Sequence, residues 1–414
     1  METMSHFYYR TVKQIRRTLT GVMLLLLVFQ YSVSALEIHS PNALLINRNE
    51  NTVLYEKESE EVIPIASLTK LMTALVAKDH ITDMNETVTI TWEHVAGLAE
   101  ANASVAGFYV GERVTYRDLL YGLLLPSGAD AAQALAYLSA GSVEAFVEMM
   151  NARAQEMGLT HTHFANTTGL DHPDNYSTLR EVAMILEAVF ADAELREIIC
   201  SNSYEISDGT LTLLSTKERV LRRYGLEMDY VLGGKTGSTI AAGICYGSIA
   251  EKDGVGYLCI VAGSSYYSDA PYQFLDSKTL YEYFMDNYSY QAILSEGDAL
   301  ITLPTLYCKN KEVAFTSDVT IERYLKNGFD KNEVQLIYHG EKVITHKMEA
   351  GKTLGKIEVV LDGEVTEVLP VVLMEQQEFD LWDYLSHHKK EVAAGGILIL
   401  IPVLLIIKRK IGRR

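Results

Sequence analysis

The chain has 414 residues, 48% of them hydrophobic and 22% charged, and carries a formal net charge of −18. This balance excludes a disordered chain, and it excludes a nucleic-acid binder, because phosphate contacts need clustered Lys and Arg. Setting aside the two basic ends (residues 1–35 and 392–414) leaves 27 basic against 53 acidic residues, an asymmetry that keeps a protein soluble.

In chain order, Arg10, Lys13, Arg16 and Arg17 precede an apolar run from Gly21 to Gln30 and the small residues Val33-Ser34-Ala35. The pattern predicts a secretory signal over residues 1–35; an uncleaved N-terminal anchor is the alternative. "ALLINRNENTVLYEK" (Ala43–Lys57) predicts two strands around an Asn-Glu turn. "SLTKLMTALVAKDH" (Ser67–His80) has helical apolar spacing with Ser67 at its start. From Glu112 to Asp192 the chain is mostly helical, carried by "RDLLYGLLL", "ADAAQALAYLSA", "SVEAFVEMMNARAQEM" and "LREVAMILEAVFA". Three closely spaced β-rich runs, "YVLGGKTG", "AAGICYGSIA" and "GVGYLCIVAGS", predict an antiparallel meander, and a helix over Tyr272–Tyr288 closes this part.

Residues 298–374 change character, with short alternating runs such as "VQLIYHG" and "KIEVVLDG" that predict a separate small β domain. A connector (375–391) leads to Val392–Ile407, an uncharged run of 16 residues followed by Lys408, Arg409, Lys410, Arg413 and Arg414. That run is slightly shorter than the ~20 residues of an average membrane span, a mismatch that snorkelling lysines and local thinning absorb. Its basic flank predicts a single-pass helix over 392–407 with a cytoplasmic tail at 408–414 and residues 36–391 outside the membrane. The class is α+β. Cys200, Cys245, Cys259 and Cys308 make no disulfide framework; Cys245 and Cys259 either pair across a hairpin or remain buried free thiols.

"GGKTGS" (Gly233–Ser238) invites a phosphate-loop reading, but Asp229 stands where the first glycine is required; at Gly351-Lys352-Thr353 that position is His346. Ser67-Leu68-Thr69-Lys70 offers different chemistry. At i and i+3 on a helix the Lys70 amine reaches the Ser67 hydroxyl, and a neighbouring base turns a serine into a nucleophile. The spacing recurs at Ser386-His387-His388-Lys389 with nothing catalytic beside it, so alone it also reads as a helix cap with a solvated lysine. Two further motifs join it: Ser127-Gly128-Ala129 at a Pro-Ser-Gly break, and Lys235-Thr236-Gly237 on a predicted strand. There Gly237 would let an extended substrate lie close, with Lys235 and Thr236 meeting its carboxylate.

In this order, and with "IASLTKLMTALVA", "VTYRDLLYGLLLPSGADAAQALA", "FANTTGLDHPDNYSTLREVAMI" and "GGKTGSTIAAGICYG" around them, the motifs resemble the low-molecular-mass serine-type D-alanyl-D-alanine carboxypeptidases. The resemblance implies a penicillin-binding-protein/β-lactamase-like catalytic domain (36–290), an antiparallel sheet with a helical cluster, followed by a small β-sandwich domain and the membrane helix. It implies a bacterial enzyme of the extracytoplasmic side that trims D-Ala-D-Ala stem peptides of peptidoglycan, is acylated by penicillins, and uses no metal or cofactor. Ser67 would be the acylated nucleophile and Lys70 its base, with burial and a second cation, for which Lys235 is the candidate, lowering the Lys70 pKa. Ser127 would pass a proton to the leaving D-alanine. The N–H groups of Ser67 and Ser238 would form the oxyanion hole, and Lys235, Thr236 and Gly237 would hold substrate.

Two departures stand out. Ala129 replaces the asparagine of Ser-x-Asn, which removes an amide worth about 0.5–1.5 kcal/mol of hydrogen bonding. No Lys or Arg lies between Lys252 and Lys278, where some relatives place a carboxylate-binding arginine, leaving Arg222 or Arg223 as candidates beside Lys235 and Thr236. Ala129 also supports the alternative of a wall-binding homologue with negligible turnover. A β-lactamase is opposed by the missing Glu-x-x-Leu-Asn, and a zinc peptidase by the lack of His-Glu-x-x-His around His161, His163 and His172.

Overall fold

The computed structural model describes residues 36–390. They form two compact units that divide between Asp286 and Asn287.

The first unit is built on a five-stranded antiparallel sheet. Strands β1 (Asn42–Asn47) and β2 (Thr52–Lys57) form the predicted N-terminal hairpin. Two short pairs follow, β3 (Thr87–Thr89) with β4 (Arg113–Thr115), and β5 (Ser203–Glu205) with β6 (Thr212–Leu214). The predicted meander is β7 (Val231–Thr239), β8 (Gly243–Lys252) and β9 (Val255–Ser264), and the sheet order is β2-β1-β9-β8-β7. Local sequence signals the hairpins. That β1 lies against β9, more than two hundred residues away, is a tertiary choice.

The β8–β9 turn places Asp253 (φ 53°) and Gly254 (φ 79°) both in the left-handed region, the requirement of a two-residue type I′ hairpin. Its register puts Ser248, not Cys245, opposite Cys259, so the two thiols do not face each other and all four cysteines are free. Burial pushes the Cys245 thiol up to about 11 and that of Cys259 up to about 12, which leaves both inert.

Eight helices surround this sheet among the described residues. The chain order is α1 (Thr69–His80), α2 (Tyr116–Leu124), α3 (Ala129–Ala140), α4 (Val143–Glu156), α5 (Leu179–Ala191), α6 (Ala193–Cys200), α7 (Thr216–Tyr224) and α8 (Tyr272–Asn287). The entry to α2 is a reciprocal capping box: Asp118 N–H donates to Thr115 Oγ1 at 3.1 Å and Thr115 N–H to Asp118 Oδ2 at 2.7 Å. The first nine residues of helix α1 are all buried, Thr69, Lys70 and Thr73 among them, which makes it the centre of the core with Leu71, Met72 and Leu75. The predicted helical region of 112–192 is broken between α4 and α5 by an irregular segment that carries part of the site.

The second unit is all β apart from a short 3₁₀ turn and one final helix. Strands β10 (Tyr288–Leu294) and β13 (Ile321–Lys326) pair antiparallel. A second sheet runs β12 (Glu312–Thr316), β11 (Ala299–Leu306), β15 (Ile344–Thr345), and a third β14 (Gln335–Gly340), β16 (Thr353–Leu361), β17 (Glu364–Val372). Ile357, Val371, Leu303 and Leu354 form its main core. Helix α9 (Leu381–His387) follows. Among the described residues no helix is long and apolar enough to cross a membrane; the predicted leader (1–35) and the predicted span (392–407) lie outside them.

Candidate active site

Ser67 lies in a 3₁₀ turn (Ala66–Leu68) that feeds directly into α1, at the start of the helical run that the sequence predicts. The turn is held in a strained form: Ala66 has φ 46°, a conformation a non-glycine residue keeps only when its surroundings impose it. Gly169 imposes it. At φ 77° it packs so closely that a Cβ there would lie 2.0 Å from the Ala66 carbonyl oxygen. The 166–170 loop is in turn built around Asn166, whose Oδ1 accepts from Thr168 N–H at 3.1 Å and Gly169 N–H at 2.6 Å.

Lys70 Nζ donates to Ser67 Oγ at 3.0 Å and to the Thr168 carbonyl at 2.5 Å, while Ser67 Oγ donates to that same carbonyl at 3.3 Å. Lys70 is only 2% exposed. Burial holds its ammonium down to about 7, against a partial opposing pull from the Asp130 carboxylate. Lys235, 1% exposed, is lowered well below the ordinary lysine value by burial first, then by repulsion from Lys70 and Arg219. Desolvation is therefore the largest cause that lowers Lys70. Repulsion between the two ammonium groups is mutual, so each lysine favours the neutral form of the other.

Ser127 ends the helix-to-helix break between α2 and α3 with φ 67°, 7% exposed, its Oγ buried without a hydrogen-bond partner. A buried hydroxyl left unpaired in a strained turn is costly and marks a functional position. The neighbouring Asp130 secures the turn: its carboxylate accepts from Ala106 N–H at 2.7 Å, Gly107 N–H at 2.9 Å and Phe108 N–H at 3.0 Å. Ala129 is 1% exposed, so the space of the absent amide is not an open one.

Strand β7 forms one edge of the sheet, with Lys235 and Gly237 buried and Ser238 exposed. The close approach that Gly237 permits is made by the protein itself. A Cβ at Gly237 would lie 3.0 Å from Ser67 N and 3.1 Å from both Ala66 Cβ and Ile65 O. The backbone N–H of Ser67 is thereby brought beside β7 one residue from Ser238, the arrangement an oxyanion hole requires. Arg222 is paired with Glu218, and Arg223 lies over the Tyr224 ring at 5.4 Å. The guanidinium that bears on Lys235 is instead Arg219, whose Nη2 donates to Thr216 Oγ1 at 3.1 Å.

Asp130, Thr168, Gly169 and Arg219 are thus site residues that sequence reasoning missed. Gly169, after Asn166-Thr167-Thr168, had a turn signal; the others had none. His163 Nδ1 contacts the Asp174 carbonyl, His172 Nδ1 accepts from Asp174 N–H, and His161 lies against Glu181, so these histidines belong to turns. No metal-ligating group of three is present among the described residues. Ser386 spends its hydroxyl on the Asp383 carbonyl at 2.8 Å.

Comparison with known proteins agrees with this geometry. The model of the family Peptidase_S11, D-alanyl-D-alanine carboxypeptidase, matches residues 29–265, and that of the penicillin-binding protein 5 C-terminal domain matches 288–378. The chain is 28% identical to D-alanyl-D-alanine carboxypeptidase DacF of Bacillus subtilis, over 83% of this chain and 87% of that one. To DacC of Escherichia coli it is 27% identical, over 86% and 90%. The Streptomyces K15 DD-transpeptidase superposes with TM-score 0.54 at 30% identity, covering 60% of this chain and 97% of that one. Penicillin-binding protein 5 of Haemophilus influenzae, at 24% identity, shares the fold with TM-score 0.59 over 82% of this chain and 98% of that one. Family match and site geometry converge: the chain belongs to the Peptidase_S11 family of D-alanyl-D-alanine carboxypeptidases.

Proposed function

We propose that this enzyme removes the terminal D-alanine from peptidoglycan stem peptides through an ester on Ser67. The observation that carries the reading is Lys70 Nζ at 3.0 Å from Ser67 Oγ in a site where burial brings the lysine to about 7. A base poised near neutrality is what activating a serine requires. Neutral Lys70 takes the Ser67 proton as Oγ attacks the penultimate D-alanine carbonyl. The N–H groups of Ser67 and Ser238 stabilise the oxyanion. The C–N bond breaks and Ser127 relays the proton to the leaving amine. Water then attacks the ester, Lys70 accepts its proton, and the Ser67 hydroxyl is restored. Lys235 and Thr236, with Arg219 nearby, meet the terminal carboxylate, whose charge favours protonation of Lys235 on binding. Penicillins would acylate the same serine.

The sequence supports a bacterial extracytoplasmic location, with a leader at 1–35, a single membrane span at 392–407, and the plasma membrane as a partner. It supports catalytic and β domains at 36–290 and 298–374. The test is D-alanine release from a D-Ala-D-Ala peptide, together with labelling by a fluorescent penicillin. Wild-type protein should release D-alanine and label once; Ser67→Ala should do neither, and Ser386→Ala should behave as wild type. Labelling that survives in Ser67→Ala would overturn the assignment.

A further inference from the structure

Within the second unit a cavity of about 890 Å³ runs between strand β12 and the 369–372 end of β17. Its floor is core: Phe315, Val371 and Leu373 are buried, yet they line it. Val319 and Met374 stand at its rim, 41% and 79% exposed. Asn310 Nδ2 donates to Gln377 Oε1 at 3.1 Å across one end. At the other lies the 317–319 turn, where Ser317 Oγ donates to the Val319 carbonyl at 2.7 Å.

The walls of this slot are sheet edges. A strand that offered one face would contribute alternate residues, but consecutive residues line the slot, 312–319 on one side and 369–375 on the other. Among the described residues β12 pairs only with β11, and β17 only with β16. Exposed edges are commonly blunted by proline or lysine. Strand β17 carries Pro370, which has no N–H to give a neighbour. Strand β12, Glu-Val-Ala-Phe-Thr, carries neither, so it is the edge left open to a further strand. At ~3.4 Å per residue its five residues span about 17 Å, room for about five to seven extended residues.

The charge of the slot has one sign. Glu312, Asp318 and Glu375 line it, all exposed, and no Lys or Arg does. Nearby, Glu378 pairs with Lys309, and Asp380 and Asp383 with Lys311. No ion pair neutralises Glu312, Asp318 or Glu375 among the described residues. An open edge, an apolar floor and an anionic rim fit an extended chain in which apolar residues alternate with Lys or Arg. In such strand addition the main-chain bonds supply affinity and the alternate side chains supply selectivity.

We propose that this slot docks an extended cationic segment of another polypeptide. The segment adds to the β12 edge as a strand, lays its apolar side chains over Phe315 and Leu373, and pairs its cations with Glu312, Asp318 and Glu375. The proposal concerns a partner of the β domain and does not depend on the chemistry at Ser67.

The experiment measures fluorescence anisotropy of a labelled peptide, Lys-Val-Lys-Val-Lys-Val-Lys, on the full chain in detergent. Lys-Gly-Lys-Gly-Lys-Gly-Lys keeps the charge without the apolar side chains, and Glu-Val-Glu-Val-Glu-Val-Glu reverses the charge. The Lys-Val peptide should bind about tenfold tighter than the Lys-Gly peptide, and the Glu-Val peptide should not bind. Combining Glu312→Gln, Asp318→Asn and Glu375→Gln should weaken the Lys-Val peptide about eightfold, roughly twofold for each exposed ion pair. These three positions are exposed, so the domain stays folded. Ala314→Trp, an exposed position on β12, should fill the slot and abolish binding. Penicillin labelling at Ser67 should be unchanged in every variant. Equal affinity for the Lys-Val and Lys-Gly peptides, or equal affinity in wild type and the triple variant, would overturn the proposal. So would binding that survives Ala314→Trp. Self-association of the chain that Ala314→Trp abolishes, with no peptide bound, would assign the slot to a second copy and overturn it as well.

Discussion

Two lysines of equal type and near-equal burial are asked to do opposite things, and their chemistry separates them. Lys70 must be neutral to accept a proton, whereas Lys235 must carry charge to hold a carboxylate. Lys70→Arg removes the accessible neutral base, because a guanidinium stays protonated, so penicillin labelling should fall by orders of magnitude. Lys235→Arg retains the charge and should label far better, though an equal loss in both variants would contradict this division. Burial that brings Lys70 to about 7 also sets a pH profile. Below that value the ammonium form dominates and acylation is slow; the labelling rate should climb as pH rises through 7. Lys235, lowered by burial and by Lys70 and Arg219, should lose its proton as pH rises, so KM for the peptide increases with pH. In Lys235→Arg that increase should flatten. A labelling rate that is constant across pH 6–8 in wild type would count against Lys70 as the base.

No single element holds the Ser67 turn. Helix α1 supplies Lys70, β7 presses Gly237 against Ser67 N, and the loop after α4 presses Gly169 against Ala66. Gly169→Ala tests that arrangement. Its φ of 77° disfavours alanine, and the added Cβ would meet the Ala66 carbonyl at 2.0 Å, so backbone must move. We expect a stability loss of about 1–3 kcal/mol, seen as a lower Tm, with penicillin labelling reduced beyond what partial unfolding explains. Ordinary labelling and an unchanged Tm would show that the turn is held by α1 alone. The same tightness bears on Ala129: buried at the start of α3, it offers no open space, so an asparagine there must displace its neighbours.

For the whole molecule, the catalytic motifs lie between Ser67 and Ser238, far upstream of the apolar run at 392–407. That run has no polar face and carries its charges at its ends, as a spanning segment does and an interfacial helix does not. On the proposed single span at 392–407, removing residues 392–414 should move the protein from the membrane fraction to the soluble fraction with penicillin labelling intact. Retention in the membrane fraction would place the attachment elsewhere, at the uncleaved leader first of all.

Several features needed only local sequence. The 3.6-residue and 2-residue periods placed the helices and the β7–β9 meander, and three short motifs named Ser67, Lys70, Ser127 and Lys235. These are properties of neighbours along the chain. Other features depend on which distant surfaces meet. The register that separates Cys245 from Cys259 arises from strand pairing, and the lowered pKa of Lys70 first of all from being enclosed. The approach of the Ser67 turn to Gly237 joins segments distant in sequence; Arg222 and Arg223 looked available, yet it is Arg219 that bears on Lys235. Burial, close backbone approach and electrostatic coupling are set by three-dimensional neighbours, so only the tertiary structure decides them.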